Sequence, residues 1–197
     1  MARKAVDVVL LPEKAMANKA IEVNAKLVEN FGSEIVLNTE NCLPHISLAV
    51  GCVDDKDIPA IHKILHSIAK ENSLGTLIVS GVQIASVGSR TLSVFEIERT
   101  KELQSLHEKV TEMLSPYLTF DVTADMIADA EVERFTLQWI SSYKEKSSYQ
   151  NFAPHITIGY GEVIDRLFPI KFIASKLAFC HLGNHCTCRK ILVSVEL

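Results

Sequence analysis

Two short stretches of this chain combine residues able to move protons. Pro44-His45-Ile46-Ser47-Leu48-Ala49-Val50-Gly51 returns, nearly unchanged, as Pro154-His155-Ile156-Thr157-Ile158-Gly159-Tyr160-Gly161. Each holds a histidine and, two positions on, a hydroxyl residue. In an extended strand the side chains alternate between faces, so His45 and Ser47 share one face while Ile46 and Leu48 share the other. His155 and Thr157 do the same, backed by Ile156 and Ile158. Each copy thus presents one imidazole and one hydroxyl in front of an apolar anchor. An imidazole titrates near pH 6.5, so base and acid forms coexist at neutrality. Two imidazoles and two hydroxyl donors on facing strands give the outline of a phosphoryl-transfer site that needs no metal.

The duplication carries the signal, because a lone H-x-[ST] is common. With both motifs in view, His45-Ile46-Ser47-Leu48 and His155-Ile156-Thr157-Ile158, 110 residues apart, the chain resembles the 2H phosphoesterase superfamily. That group includes RNA 2′,3′-cyclic phosphodiesterases and proteins labelled 2′-5′ RNA ligases. Serine stands in the first motif where threonine is commoner, and it keeps the hydroxyl. The resemblance spans nearly the whole chain. It implies an α+β fold that is bilobal and pseudo-twofold, with two mainly antiparallel sheets and the motif strands lining a central cleft. It further implies hydrolysis of 2′,3′-cyclic phosphate or 2′-5′ phosphodiester bonds at RNA ends or in oligonucleotides, reversible as ligation. His45 and His155 would be the catalytic acid and base, in an order the residues leave open. Ser47 and Thr157 would bind the phosphate. No metal or cofactor is expected. The alternative is a nucleotide-binding module of the same fold without turnover.

The elements that must position these residues are legible from periodicity. Ala5 to Leu11 reads as a strand and Glu13 to Asn30 as a helix. Its stripe is Met16, Ala20, Val23, Leu27 and Phe31, with Gly32 as a left-handed cap. Glu34 to Leu37 reads as a short strand. Asp57 is expected to cap a helix burying Ile58, Ile61, Leu65 and Ile68. Thr76 to Val87 and Arg90 to Glu98 form a hairpin around Gly88-Ser89, and a helix runs from Thr100 to Leu114 with Leu103, Leu106, Val110 and Met113 inward. Asp125 to Lys146 is expected to be mostly helical, its first half left open by the pattern, with Phe135, Trp139 and Tyr143 on the buried side. A last hairpin, Phe172 to Leu182 and His185 to Val195, turns at Gly183-Asn184. Hairpins mixed with helices, without a Pro/Ser/Gly linker, predict one α+β domain over 1–197 made of two interlocked lobes.

Composition sets bounds on partners. The 197 residues are 48% hydrophobic, with 20 basic and 24 acidic side chains and a net charge of −4. Such a balance lacks the basic excess that tracks a long nucleic-acid backbone, and it favours a nucleotide or an RNA terminus as substrate. No apolar run reaches the ~18 residues of a membrane span, and Val8 to Leu11 is too short for a signal-peptide core. A cytoplasmic monomer with reduced thiols is the expectation from five cysteines and no leader.

Other candidates have plainer readings. His62 and His66, four apart on a helix, lack the glutamate of a zinc protease. His181, Cys186 and Cys188 would share a face if Gly183-Asn184 were the turn, yet the spacing fits no standard zinc site and buried thiols are expected. Cys186 and Cys188 are spaced too widely for an unstrained disulfide. Arg90 and Arg189 read as surface charge. Tyr160, by parity, points into the core, and the direction of Phe152 is open. The absence of Walker, G-x-G-x-x-G and G-x-S-x-G motifs removes the simplest ATPase, dinucleotide-enzyme and serine-hydrolase readings.

Overall fold

The computed structural model describes residues 2–72, 74–164 and 168–197. The chain is α+β, with four α-helices and two antiparallel four-stranded sheets among the described residues. The first sheet has the order β2 (Ile46–Asp54), β1 (Arg3–Pro12), β7 (Ala174–Leu182), β8 (Cys188–Glu196). The second has the order β5 (His155–Tyr160), β4 (Arg90–Ile97), β3 (Leu77–Val87), β6 (Ile170–Phe172). The two orders are superposable, with β2, β1, β7 and β8 answering to β5, β4, β3 and β6. Each motif strand is therefore the outer strand of its sheet, paired with the strand that begins its own β-α-β unit.

The helices cross over between the sheets. Helix α1 (Lys14–Phe31) follows β1 but packs on β5; α3 (Lys101–Leu114) follows β4 but packs on β2. Helix α2 (Ile58–Glu71) covers β7 and β8, and α4 (Arg134–Lys146) lies against β2. One contiguous core takes side chains from both sheets, including Val8, Leu10 and Phe179 of the first and Val79, Phe95 and Ile156 of the second. The lobes share one interior, so neither buries its apolar face alone.

The predicted stripes pack largely as expected, with local departures. Met16, Ala20, Val23 and Leu27 are buried, but Phe31 is 56% exposed. Gly32 takes a positive φ of 119° with an extended ψ of 167°, so α1 ends without the left-handed helical cap. Thr100 caps α3, its side chain accepting from the Leu103 N–H; Asp57 precedes α2 without a side-chain capping bond.

Three predicted elements differ for identifiable reasons. Glu34–Leu37 is not a strand, because its backbone pairs with a side chain: the buried Asn24 amide donates to the Ile35 carbonyl and its Oδ1 accepts from the Leu37 N–H, each at 2.8 Å. The helix expected from Asp125 begins only at Arg134. Upstream the backbone runs beside β7, where the Ala128 N–H donates to the Leu182 carbonyl at 2.8 Å. The last hairpin turns through 183–187, not through two residues. There Asn184 Oδ1 accepts from the Glu133 N–H (2.9 Å) and Thr136 Oγ1 (2.8 Å) at the start of α4, which draws the loop off the strand axis. His185 and Cys186 take positive φ, 57° and 55°.

Candidate active site

Both motif strands carry a β-bulge at the same motif position. Ser47 pairs with Val9 and Ala49 with Val8, which leaves Leu48 unpaired. Thr157 pairs with Val94 and Gly159 with Ser93, which leaves Ile158 unpaired. A bulge inserts one residue and so reverses the facing of everything after it. Tyr160 therefore joins the His155 face and lines the cavity, which corrects the facing expected from simple alternation, while it stays buried in the core as expected.

A freed carbonyl at a buried bulge must find another donor. The Leu48 carbonyl accepts from His107 Nδ1 of α3 at 2.7 Å, and the Ile158 carbonyl accepts from Asn24 Nδ2 of α1 at 2.7 Å. His107 is 0% and Asn24 1% exposed. Each helix thus clamps the bulge of the opposite lobe's motif strand. His107 Nε2 also accepts the Tyr149 N–H at 2.8 Å, and its ring stacks on Phe152 with centroids 4.0 Å apart. His107 is consequently a neutral ring joining β2 to the segment that leads into β5. At the second bulge Gly159 has φ 147°, and an added Cβ would fall 2.9 Å from Asn24 Nδ2. The close amide is why glycine stands there.

The two motifs line a single cavity of about 350 Å³, within the range usual for small-ligand sites. His45, Ser47, His155 and Thr157 all reach it. His45 Nδ1 donates to the Leu43 carbonyl at 2.7 Å, and His155 Nδ1 to the Ala153 carbonyl at 2.8 Å. A carbonyl only accepts, so these bonds place the proton on Nδ1 and leave Nε2 as the basic nitrogen of both rings. Burial lowers the His45 pKa to about 4; the Leu43 bond acts against this and nearby His155 adds to it. Burial also lowers His155, against its Ala153 bond. Burial thus favours the neutral form of both imidazoles.

Aromatic side chains close the cavity. Phe135, Trp139 and Tyr143 line it from α4, so all three residues expected on the buried side are cavity wall: Phe135 is 37% exposed, Trp139 half-buried and Tyr143 buried. Across from them, the Tyr160 hydroxyl lies 3.1 Å from His185 Nδ1, and Arg90 sits 4.1 Å above the Tyr160 ring while pairing with Glu133 at 2.7 Å. Arg90 is thereby a brace for this wall and not free surface charge. No Lys, Arg, Asp or Glu lines the cavity among the described residues.

Behind Ser47 lies Asp7, a residue sequence reasoning passed over. It is 0% exposed, its Oδ2 is 2.6 Å from Ser47 Oγ and 3.8 Å from His45 Nε2, and its Oδ1 has no partner among the described residues. A single acid inside Val6-Asp7-Val8-Val9-Leu10 was the available signal, since central strands rarely carry one.

The remaining candidates lie elsewhere. His62 and His66 are exposed on α2. Arg189 pairs with Asp129 at 2.9 Å and donates to the Asn41 carbonyl. Cys188 forms a disulfide with Cys180, against the expectation of reduced thiols throughout, while Cys42, Cys52 and Cys186 are free. His181 Nε2 bonds the Met126 carbonyl, so His181, Cys186 and Cys188 do not converge. Among the described residues no group of three His, Cys, Asp or Glu side chains is placed to hold a metal ion, and no helix is long and apolar enough to cross a membrane. Compared with known proteins, the chain matches no family model and no curated sequence.

The buried histidines set an acid limit on stability. Burial lowers His45, His107, His155 and His185 below the ordinary value of about 6.5. Between the ordinary and the lowered values the unfolded chain binds more protons, so stability is full above pH 6.5 and is lost as pH falls. Asp7, raised by its burial against the Ser47 bond, opposes this. The melting temperature is expected to fall steadily from pH 7 to pH 5, at about 1.4 kcal/mol per pH unit for each net proton. Asp7→Asn should steepen the slope. A flat profile over that window contradicts this account.

Proposed function

We propose that this protein is a metal-independent phosphodiesterase that opens 2′,3′-cyclic phosphates, or cleaves 2′-5′ phosphodiesters, of nucleotides or RNA ends. The observation that carries the reading is the symmetric pair of imidazoles, each fixed through Nδ1 to its own strand and presenting a neutral Nε2 to one shared cavity. In-line cleavage needs a base on the attacking side of phosphorus and an acid on the leaving side. One neutral imidazole takes a proton from water. The anionic substrate raises the pKa of the other, which protonates and then gives its proton to the departing ribose oxygen. The Ser47 and Thr157 hydroxyls donate to the non-bridging oxygens as charge builds there.

The cavity lining supports a compact substrate. Aromatic walls suit a nucleobase. The resemblance of His45-Ile46-Ser47-Leu48 and His155-Ile156-Thr157-Ile158 to the paired motifs of 2H phosphoesterases supports the same chemistry.

The test is hydrolysis of the four nucleoside 2′,3′-cyclic monophosphates in EDTA, with identification of the product. Turnover that survives chelation, giving a single phosphate regioisomer, is expected. No turnover on these compounds or on RNA ends bearing cyclic phosphate, with nucleotide binding retained, would replace the enzyme by a nucleotide-binding module.

A further inference from the structure

The hydrogen bond between Ser47 and Asp7 poses a question of proton ownership. If Asp7 is a carboxylate it can only accept, so Ser47 must donate its hydrogen backward and turns only lone pairs to the cavity. A phosphoryl oxygen arriving there would meet repulsion. If Asp7 is a carboxylic acid, it donates to Ser47 Oγ and the Ser47 hydrogen is released forward. The opposing Thr157 hydroxyl, with no protein partner among the described residues, is already free to donate.

The surroundings favour the acid. Asp7 is fully buried, Oδ1 is unpartnered, and a single hydrogen bond reaches Oδ2. An ionised carboxylate so placed costs far more than a neutral one. His45 is the one ion-pair candidate among the described residues, and at 3.8 Å it is beyond hydrogen-bond reach. Its Nδ1–H is committed to the Leu43 carbonyl, and burial favours the neutral ring, in which Nε2 carries a lone pair. The other titratable groups facing Asp7 are Tyr143 of α4 and Cys186 of the 183–187 loop; both are pushed up and bring no positive charge. The carboxyl itself is driven well above the ordinary range by burial, the Ser47 bond acting against this. The position corresponding to Asp7 in the second sheet is Leu92: Asp7 pairs with Val50 and Leu92 with Tyr160, and Val50 and Tyr160 occupy one place in the repeat. The device is thus confined to one half of the site.

We propose that Asp7 is a protonated positioning residue that donates to Ser47 and so aims the Ser47 hydroxyl at a phosphoryl oxygen of the substrate. The inference rests on the proposed phosphodiester chemistry for its purpose, but its test does not. Infrared difference spectroscopy of wild type against Asp7→Asn, with ¹³C-labelled aspartate, should show a protonated-carboxyl C=O band at pH 7 that the variant lacks. A carboxylate band in its place, with His45 observed as imidazolium by ¹⁵N NMR, overturns the proposal whatever the turnover. In hydrolysis, Asp7→Asn should stay within about threefold of wild type, since an amide N–H donates to Ser47 as the acid does, while Ser47→Ala falls about 10²-fold. The wild type should lose kcat at alkaline pH as Asp7 ionises, and Asp7→Asn should lack that limb. Asp7→Asn as impaired as Ser47→Ala, in a folded protein, overturns the proposal. The protonated band together with no wild-type hydrolysis supports the proton placement and overturns the proposed reaction instead.

Discussion

Alanine at either His45 or His155 is expected to lower kcat for cyclic-phosphate opening by about 10³-fold, with the double variant scarcely worse than either single one. A positioned acid or base contributes about 10²–10⁴-fold. Groups that act in one concerted proton exchange do not add. KM should move little, because Ser47, Thr157 and the aromatic walls keep their places in the cavity. Folding should survive, because both rings border open space and each loses only its bond to the carbonyl two residues back. The measurement is single-turnover kinetics beside a melting curve. A single variant with wild-type turnover would remove the two-histidine mechanism. Equal losses caused by unfolding would appear in the melt.

The second large effect is expected far from the reacting atoms. Asn24→Ala strips three buried backbone groups, the Ile158 and Ile35 carbonyls and the Leu37 N–H, of their partner at once. At about 1–3 kcal/mol for each buried group left unpaired, a loss of at least ~3 kcal/mol in urea unfolding is expected. His107→Ala orphans the Leu48 carbonyl and the Tyr149 N–H and leaves a hole against Phe152; about 3–5 kcal/mol is expected. His107→Phe keeps the ring volume without the bonds and separates the two contributions. Most point substitutions cost far less. Folded fractions of either variant should lose kcat more than they gain KM, since a relaxed bulge misdirects the hydroxyl one position before it. A cost below ~1 kcal/mol for both would mean that the bulges hold without their clamps.

Much of the frame was legible because period and punctuation decide it. β1, α1, α3 and the β3–β4 hairpin each show a clear period closed by a turn or cap. The repeat singled out His45, Ser47, His155 and Thr157, and the fold brings all four to one cavity. What escaped reading depends on contacts between distant segments. A bulge leaves no mark in local periodicity, so Tyr160 was assigned to the wrong face. Asn24 and His107 sit within amphipathic stripes and look like ordinary polar interruptions until the opposite lobe supplies their carbonyls. The Glu34–Leu37 segment has the composition of a strand and is denied a neighbour because Asn24 occupies its bonding groups. The 183–187 loop has the dipeptide of a tight turn, overruled by α4. Asp7 was visible as an oddity, but its partner Ser47 was already assigned another task.

The strand order also governs what a half-made chain can do. β1 is an inner strand of the first sheet, yet its second neighbour, β7, lies about 160 residues further along. At roughly 5–20 residues per second, a ribosome takes on the order of 10–30 s to deliver that neighbour. During this time one edge of Val6-Asp7-Val8-Val9-Leu10 has no partner. Three strands of the second sheet, β3, β4 and β5, are made within 77–160 and can pair in the meantime, and α1 is already available to clamp β5. The nascent protein therefore passes through a stage in which β1 keeps an apolar open edge, the condition that chaperones bind and that invites strand-to-strand aggregation.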